Sequence, residues 1–324
     1  MNLTVTFKVN DSLKDTILKH AAFCDEIFFL STLSDSERAK ILAKTDILFT
    51  WNTPKEIKEH EFSYLKNCKL IQLLSAGANH LPFHLIDNNI LLASNVGAYA
   101  KPMAEHCVGM ILALAKSIVN RHLELKNNIF NSSLENRMIE GSICGIVGFG
   151  GIGQEVANLV RAFGVKVYTI NSSGKTDKEV SFIGTLKDLA YLLKESDIVV
   201  LSIPYNKYTH NLINKEKLSI MKPNAILINL ARGDIIVEKD IYEHLKNNPD
   251  FLFGTDTWWV EPFSHGRFEI HYPFFDLPNF LGSPHNSAVV KNVMENAAIF
   301  ALSNIKHFVE NKPIKGIVKR EDYL

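Results

Sequence analysis

Short apolar segments recur along the first hundred residues, and polar or amphipathic segments separate them. The pattern predicts strands at 3–9, 27–30, 47–51, 70–74 and 90–93. Ser34, followed by Glu37 three residues later, has the spacing of a capping box and predicts the start of a helix. Strands that alternate with helices favour a parallel sheet that is covered on both faces.

A long helical segment then separates this series from a second one. Apolar residues recur at helical spacing from Lys101 to Val119, and an asparagine-rich segment at 126–140 is expected on the surface. Strands are predicted at 142–147, 166–170, 198–203, 225–230 and 251–254, and a last helix at 288–310. Because no strand follows that helix, we expect it to return to the first series. The chain is therefore predicted to be an α/β protein with two doubly wound parallel-sheet domains, the second inserted into the first.

Composition and charge narrow the class of protein. The 324 residues suggest about two domains, and 35 basic residues balance 35 acidic ones without forming a basic block, which argues against nucleic-acid binding. The apolar stretch at 107–115 is short of the roughly 18 residues that a membrane span needs. The four cysteines are scattered, so we expect reduced thiols in a cytoplasmic protein. His80 and His84 have no evident third ligand, and no metal site is predicted.

A glycine-rich turn carries the clearest chemical signal. Residues 148–153 read Gly-Phe-Gly-Gly-Ile-Gly, between a predicted strand and a predicted helix, and the strand at 166–170 completes a βαβ unit. The first glycine allows a tight turn, the second lets a pyrophosphate approach the backbone, and the helix N-terminus offers N–H groups to it. This context predicts a Rossmann dinucleotide-binding domain.

The end of the second strand of this unit bears on the choice of cofactor. NAD-preferring domains place Asp or Glu there to bind the ribose hydroxyls, whereas this chain has Asn171, followed by Ser172, Ser173 and Lys175. Hydroxyl groups and a lysine suit a 2′-phosphate. We predict NADP or NAD, with a modest preference for NADP. The alternative is that Asn171 binds the ribose of NAD and that Lys175 is only solvated.

Further motifs follow in a fixed order at the ends of predicted strands. They are the segments 74–80, 95–97 with 104–106, 148–153, 202–204 with Thr209, 229–233, 256 with 261–262, and 283–285. With these motifs the chain resembles the D-isomer-specific 2-hydroxyacid dehydrogenases. The resemblance implies an NAD(P)-binding Rossmann domain at 96–287, inserted into a flavodoxin-like substrate domain at 1–95 and 288–324. It also implies a homodimer built through the long helix at 108–119.

The resemblance assigns catalysis to Arg232, Glu261 and His285. A 2-oxo acid has a carboxylate beside a ketone, and a planar guanidinium such as that of Arg232 can hold both. His285 would donate a proton to the developing alkoxide while Glu261 favours the imidazolium. The implied reaction is the reversible, NAD(P)-dependent reduction of a 2-oxo acid to a D-2-hydroxy acid. The backbone N–H groups of Ala76 and Gly77 would bind the substrate carboxylate.

Further cofactor contacts follow from the motifs and the resemblance. Asp256 would bind the nicotinamide carboxamide, Leu230 and Ala231 would line its ring, and Pro204 would pack near the adenosine. The complete predicted set is Gly148, Gly150, Gly151, Ile152, Gly153, Asn171, Ser172, Ser173, Lys175, Ser202, Pro204, Thr209, Leu230, Ala231, Arg232, Asp256 and His285. Glu105 and His106 open the long helix and are assigned to packing and to the helix dipole.

Two alternatives and one departure from the family pattern stay open. Formate dehydrogenases share this pattern but typically have glutamine where Glu261 stands, and dinucleotide-sensing corepressors keep the same three residues. Trp258, Trp259 and an aromatic segment at 263–275 are bulkier than is common in the family. These aromatic residues are either core or dimer contacts, or they form an enlarged or lidded pocket. The identity of the substrate therefore stays undetermined by the sequence.

Overall fold

The structure, a computed structural model, describes residues 1–323. The chain divides into two compact units, Met1–Tyr99 with Val290–Leu324, and Ala100–Val289. Both units are built on a parallel sheet with helices, which confirms the predicted fold class. The roles assigned to the ranges 1–95 with 288–324 and 96–287 stay predictions, and Leu324 lies outside the described residues.

The first unit contains a five-stranded parallel sheet in the order β2-β1-β3-β4-β5, which is the flavodoxin-like order. The strands are β1 (Leu3–Val5), β2 (Ile27–Phe29), β3 (Ile47–Thr50), β4 (Leu70–Leu73) and β5 (Leu91–Ala93). The α-helices are α1 (Asp11–His20), α2 (Asp35–Lys44), α3 (Thr53–Glu56) and α11 (Val293–Val309). All five predicted strands are present, although β1 ends at Val5 rather than at residue 9.

Local signals account for the helices of this unit. The Asn10 side chain accepts a hydrogen bond from Leu13 N at 2.8 Å and starts α1. Helix α2 begins after Ser34, whose N–H donates to Glu37 Oε2 at 2.9 Å, as the capping-box spacing predicts. Helices α1 and α11 bury their apolar faces against the sheet, so the last helix belongs to the first unit.

The second unit contains a seven-stranded parallel sheet in the order β12-β11-β10-β9-β6-β7-β8. Counted within the unit, this is the Rossmann order 3-2-1-4-5-6 with one more strand at its edge. The strands are β6 (Ile143–Val147), β7 (Lys166–Ile170), β8 (Phe182–Gly184), β9 (Ile198–Leu201), β10 (Ile226–Asn229), β11 (Leu252–Thr255) and β12 (Phe280–Gly282). The α-helices are α4 (Ala100–Ala115), α5 (Ile118–Lys126), α6 (Gly151–Arg161), α7 (Leu189–Glu195), α8 (Lys215–Ser219), α9 (Glu238–Asn247) and α10 (Pro262–His265).

The prediction of one long helix from Lys101 to Val119 is wrong. Helix α4 ends at Ala115, and Ser117 has a left-handed backbone (φ 49°) before α5 begins at Ile118. The apolar face of α4 is buried in the core of the second unit, beside α6. No single helix within residues 1–323 is long and apolar enough to span a membrane, and only α4 and α5 together, bent by 58°, pass that test of length and composition.

Candidate active site

The glycine-rich turn after β6 has the geometry that a bound pyrophosphate needs. A Cβ on Gly148 (φ +99°) would lie 2.7 Å from the carbonyl oxygen of Ser202, and one on Gly153 would lie 2.3 Å from that of Gly148. A Cβ on Gly150, in contrast, would meet nothing within 4 Å. Gly150 precedes the first residue of α6 and supplies no side-chain cap. The turn is therefore closed against the protein and open in front of the helix N-terminus, which fits a dinucleotide phosphate.

The hydroxyl groups of two predicted cofactor residues are engaged within their own loops. Ser202 Oγ donates to Gly148 O at 2.8 Å, which ties the loop after β9 to the glycine turn. Thr209 Oγ1 donates to Pro204 O at 2.8 Å and accepts from Asn206 N at 2.9 Å. These side chains shape the two loops, so a cofactor role for either would act through that shape.

Asn171 folds the turn after β7 around its own amide group. Its Oδ1 accepts from Ser173 N at 3.0 Å and Gly174 N at 2.7 Å, and its Nδ2 donates to Lys175 O at 2.9 Å. Ser172, Ser173 and Lys175 are exposed. Among the described residues, no carboxylate lies within 4 Å of Lys175 Nζ. The amide of Asn171 is thus occupied, which disfavours its use as a direct ribose contact.

Arg232 follows β10 in a loop that a buried asparagine holds. Asn229 is fully buried, donates to Arg232 O at 2.8 Å and accepts from Ala231 N at 3.0 Å. Arg232 also donates from its guanidinium to Ala231 O at 2.7 Å. A Cβ on Gly233 would lie 2.4 Å from the backbone of Trp258, so only glycine lets this loop approach the loop after β11 so closely.

His285 and Glu261 form a direct pair in the second unit. The Nδ1 atom of His285 lies 2.8 Å from Glu261 Oε2, and the Glu261 side chain is only 5% exposed. Burial raises the pKa of the Glu261 carboxyl, but His285, the Trp258 N–H and the charge of Arg232 outweigh it and hold that pKa below its ordinary value. Glu261 is therefore ionised near neutral pH, and Nε2 of His285 is the nitrogen left for a substrate.

The loop that carries His285 is anchored by Asp256, which is fully buried at the end of β11. The Asp256 carboxylate accepts from Ser283 Oγ at 2.5 Å and from the backbone N–H groups of Asn286 and Ser287 at 3.0 Å each. Its predicted contact with a nicotinamide carboxamide would add to these bonds. The structure thus gives Asp256 a second task, which is to hold the histidine loop.

His106 of α4 joins this network, contrary to the prediction that it serves packing and the helix dipole. Its Nε2 lies 2.9 Å from Ser283 Oγ. Because the single hydroxyl proton of Ser283 goes to Asp256, Nε2 of His106 must be the donor in that contact. Sequence reasoning missed His106 because its partner lies 177 residues further along the chain. Sequence reasoning also missed that Asn229 holds the Arg232 loop, although a polar residue at the end of an apolar strand was a usable signal.

The aromatic segment at 263–275 packs mainly inside the second unit. Phe274 is fully buried and stacks on Trp259 at 5.5 Å between ring centroids. Trp258 is 6% exposed and contacts Phe268 at 5.1 Å and Phe275 at 5.7 Å. These contacts favour the core interpretation over an enlarged pocket, although Phe268 and Phe275 are themselves more than half exposed.

The predicted carboxylate-binding loop lies in the first unit, at the carboxyl end of β4. Ser75 Oγ donates to Gly77 O at 2.9 Å, Asn95 N donates to Ser75 O at 2.9 Å, and Asn95 Nδ2 donates to Leu74 O at 3.1 Å. These bonds occupy the carbonyl groups of Leu74, Ser75 and Gly77. Within residues 1–323 the N–H groups of Ala76 and Gly77 have no acceptor, so they are available to an anion.

Comparisons with known proteins identify the family of the chain. A family model described as "D-isomer specific 2-hydroxyacid dehydrogenase, NAD binding domain" matches residues 108–287. Hydroxypyruvate reductase of Thermotoga maritima is 30% identical over 276 residues, which are 84% of this chain and 88% of the relative. Glycerate dehydrogenase of Methylorubrum extorquens is 27% identical over 321 residues, 97% of this chain and 98% of the relative.

A solved structure shows the same fold over nearly the whole chain. The D-isomer specific 2-hydroxyacid dehydrogenase from Xanthobacter autotrophicus Py2, solved in complex with NADPH and MES, covers 99% of both chains with a TM-score of 0.82 at 20% identity. The family model matches more than half of this chain, and the similarity to the Thermotoga protein extends over most of both sequences. The chain therefore belongs to the D-isomer specific 2-hydroxyacid dehydrogenase family of oxidoreductases.

Proposed function

We propose that the protein reversibly reduces a 2-oxo acid to a D-2-hydroxy acid with NADH or NADPH. The observation that carries the proposal is the contact of 2.8 Å between His285 Nδ1 and the buried Glu261 carboxylate. This pair lies in the same unit as a glycine turn that fits a dinucleotide. When bound, the nicotinamide supplies the hydride that adds to the C2 carbonyl carbon of the substrate.

His285 is the proton donor in this proposal. Its imidazolium is stabilised by Glu261, and the proton at Nε2 passes to the carbonyl oxygen as that oxygen gains negative charge. In the oxidative direction the neutral imidazole takes the proton back from the hydroxyl group. The products of reduction are the D-2-hydroxy acid and the oxidised dinucleotide, and the next turnover requires reprotonation of His285.

Arg232 is the proposed substrate anchor of the second unit. Its planar guanidinium can bind the carboxylate and the neighbouring ketone oxygen together, which orients the substrate and polarises the carbonyl. The Asn229 bonds fix the backbone from which this side chain extends. In the first unit, the N–H groups of Ala76 and Gly77 are proposed to bind a substrate carboxylate.

The cofactor contacts remain part of the proposal. Leu230 and Ala231 are buried, 2% and 7% exposed, and are suited to line a nicotinamide ring. Pro204 would contact the adenosine half. The side chains of Ser172, Ser173 and Lys175 are exposed after β7, and they support a modest preference for NADPH.

A homodimer is proposed as well, through the segment 118–138, which overlaps the predicted helix at 108–119 only at its end. Val108 and Ile111 are buried in the second unit, at 9% and 0% exposed. The exposed apolar side chains lie further on and include Leu125, Phe130 and Met138, which are 55%, 84% and 73% exposed. A light-scattering mass of two chains that falls to one in Phe130→Asp would support this interface. A monomeric parent protein would contradict it.

The experiment that tests the activity is a substrate panel. Purified protein is mixed with NADH or NADPH and with hydroxypyruvate, glyoxylate, pyruvate, or branched or aromatic 2-oxo acids, and cofactor absorbance is followed. We expect turnover with at least one acid, and His285→Gln should lower kcat by about a hundred-fold with cofactor binding retained. Cofactor binding without turnover on any acid would favour a dinucleotide-sensing protein. A His285→Gln variant within a few-fold of the parent would remove His285 from the mechanism.

A further inference from the structure

Trp258 bonds to Glu261 and to the loop that carries His285. It follows β11, and its backbone N–H donates to Glu261 Oε2 at 3.3 Å. Its indole Nε1–H donates to Ser283 O at 2.9 Å, and the same carbonyl accepts the backbone N–H of His285 at 3.1 Å. One residue therefore reaches the carboxylate of the pair through its backbone and the histidine loop through its side chain.

The backbone of His285 requires such support. Its φ of 51° lies in the left-handed region, which is strained for a residue with a side chain and persists only where its surroundings fix it. Asp256 fixes the loop after His285, through the N–H groups of Asn286 and Ser287. The indole of Trp258 fixes the carbonyl of Ser283 before it.

The position of the indole is itself tightly determined. A Cβ on Gly282 would lie 2.7 Å from Trp258 Cζ2, so the strand before the histidine loop lies directly on the ring. Phe268 and Phe275 cover the ring further, at 5.1 and 5.7 Å between centroids. With 6% of its surface exposed, Trp258 keeps its N–H on Ser283 O. The aromatic segment at 263–275 thus serves the histidine loop by covering this tryptophan.

We propose that Trp258 is a positioning residue that, through the carbonyl of Ser283, sets the direction in which His285 presents its imidazole. The inference rests on the proposed function, because it assumes that His285 is the proton donor. Trp258 does not touch the reacting atoms in this proposal. It acts by keeping His285 at once in contact with Glu261 and aligned for proton transfer, where small displacements cost much of the rate.

The neighbouring tryptophan provides a matched control. Trp259 is also buried, at 9% exposed, and its indole N–H donates to Ile236 O at 2.7 Å, with no bond to the histidine loop. Trp258→Phe and Trp259→Phe each remove one buried indole N–H and retain an aromatic ring. Kinetics are normalised to active sites counted by NAD(P)H binding, so that unfolded protein does not enter the comparison.

We expect Trp258→Phe to lower kcat by about ten-fold, with the KM for NAD(P)H within about two-fold of the parent. Both variants should lower Tm by similar amounts, but Trp259→Phe should leave kcat within about two-fold of the parent. In a His285→Gln background, Trp258→Phe should have no further effect on kcat, because the group that it positions is gone.

Two results would overturn the inference. One is equal kcat for Trp258→Phe and Trp259→Phe, and the other is a ten-fold loss that persists in the His285→Gln background. The proposed function fails separately, if His285→Gln alone stays within a few-fold of the parent. The parent, Trp258→Phe, His285→Gln and the double variant therefore distinguish an error about Trp258 from an error about the proton donor.

Discussion

Two turns at the carboxyl ends of buried parallel strands satisfy their backbone N–H groups in opposite ways. After β3, the Glu56 carboxylate accepts from Thr50 Oγ1 at 2.7 Å, Trp51 N at 3.0 Å and Asn52 N at 2.6 Å. After β6, Gly150 supplies no side chain, and the space beside it is open. Both sheets present N–H groups at this edge. The first turn supplies its own anion and stabilises the fold, whereas the second leaves the anion to a ligand.

The largest expected effect is on stability, and it comes from the glycine that packs most tightly in the turn after β6. Gly153→Ala places a Cβ 2.3 Å from the carbonyl oxygen of Gly148, so the turn and α6 must move apart. We expect a loss of about 3 kcal/mol or more in the free energy of unfolding, the size of an overpacking defect, measured by urea denaturation. Gly109→Ala in α4 is the control, because a Cβ there meets nothing within 4 Å and alanine favours a helix. Equal stability of both variants would contradict the close packing.

Glu56→Gln tests the turn that closes on itself. The glutamine side chain carries no charge. Its N–H₂ group would face N–H and O–H groups whose hydrogen bonds the carboxylate accepts. We expect a loss of about 2 kcal/mol in the stability of the first unit, since bonds to charged groups are worth roughly 1.5–3 kcal/mol. The exposed Glu59→Gln is the matched control. A Glu56→Gln protein that unfolds at the parent's urea concentration would show that the carboxylate does not stabilise this turn.

Gly150→Ala should weaken cofactor binding and leave the stability unchanged. The backbone there has φ −83°, and an added methyl group meets no protein atom, so the stability should change little. The methyl group would occupy the space that we assign to a pyrophosphate, and the KM for NAD(P)H should rise about ten-fold, or about 1.4 kcal/mol. An unchanged KM would mean that the dinucleotide lies elsewhere.

Glu261 lies in the loop beyond β11 and contrasts with Glu56, because it bonds a histidine side chain in addition to one backbone N–H. The pKa of Glu261 lies below its ordinary value, so near neutral pH it is a charge that favours the imidazolium of His285. Glu261→Gln removes that charge and keeps the shape of the side chain. We expect kcat for reduction to fall about ten-fold or more, because a hydrogen bond to a charged group is worth roughly 1.5–3 kcal/mol, while the KM for NAD(P)H stays unchanged. A kcat within about two-fold of the parent would count against the pair.

The turn after β7 is the intermediate case, since Asn171 fills it with a neutral amide. Asn171→Asp can still accept from Ser173 N and Gly174 N, but it loses the bond to Lys175 O and gains a charge that repels a 2′-phosphate. We expect the ratio of kcat/KM for NADPH over NADH to fall several-fold, with exposure limiting the effect. Both ratios are measured at one ionic strength. A parent that prefers NADH ten-fold would disprove the predicted preference for NADPH.

The sequence predicts most of what lies at strand ends, because parallel topology alone gathers those residues at one edge of a sheet. His285 and Glu261 are found in contact for that reason, although 24 residues separate them. The edge strands β8 and β12 were missed because each has only two large apolar residues before a glycine, which is too short a run to stand out. The break at Ser117 was missed because apolar spacing continues through it.

The positioning contacts were beyond sequence reasoning for a different reason. The bond from His106 to Ser283 and the bond from Trp258 to the Ser283 carbonyl depend on how loops and helices pack, and no local spacing encodes them. The aromatic segment at 263–275 could be identified as unusual, but its partner could not. Only the packed structure shows that it covers Trp258.

The left-handed backbone at His285 has a consequence for how this loop evolves. Glycine would occupy that position at a lower free energy, so folding stability alone selects against the histidine. The imidazole persists where selection for turnover exceeds that pressure, and the bonds from Asp256 and Trp258 reduce the difference that selection must overcome. A lineage that lost the need for turnover would be expected to drift toward glycine at this position before the surrounding anchors decayed.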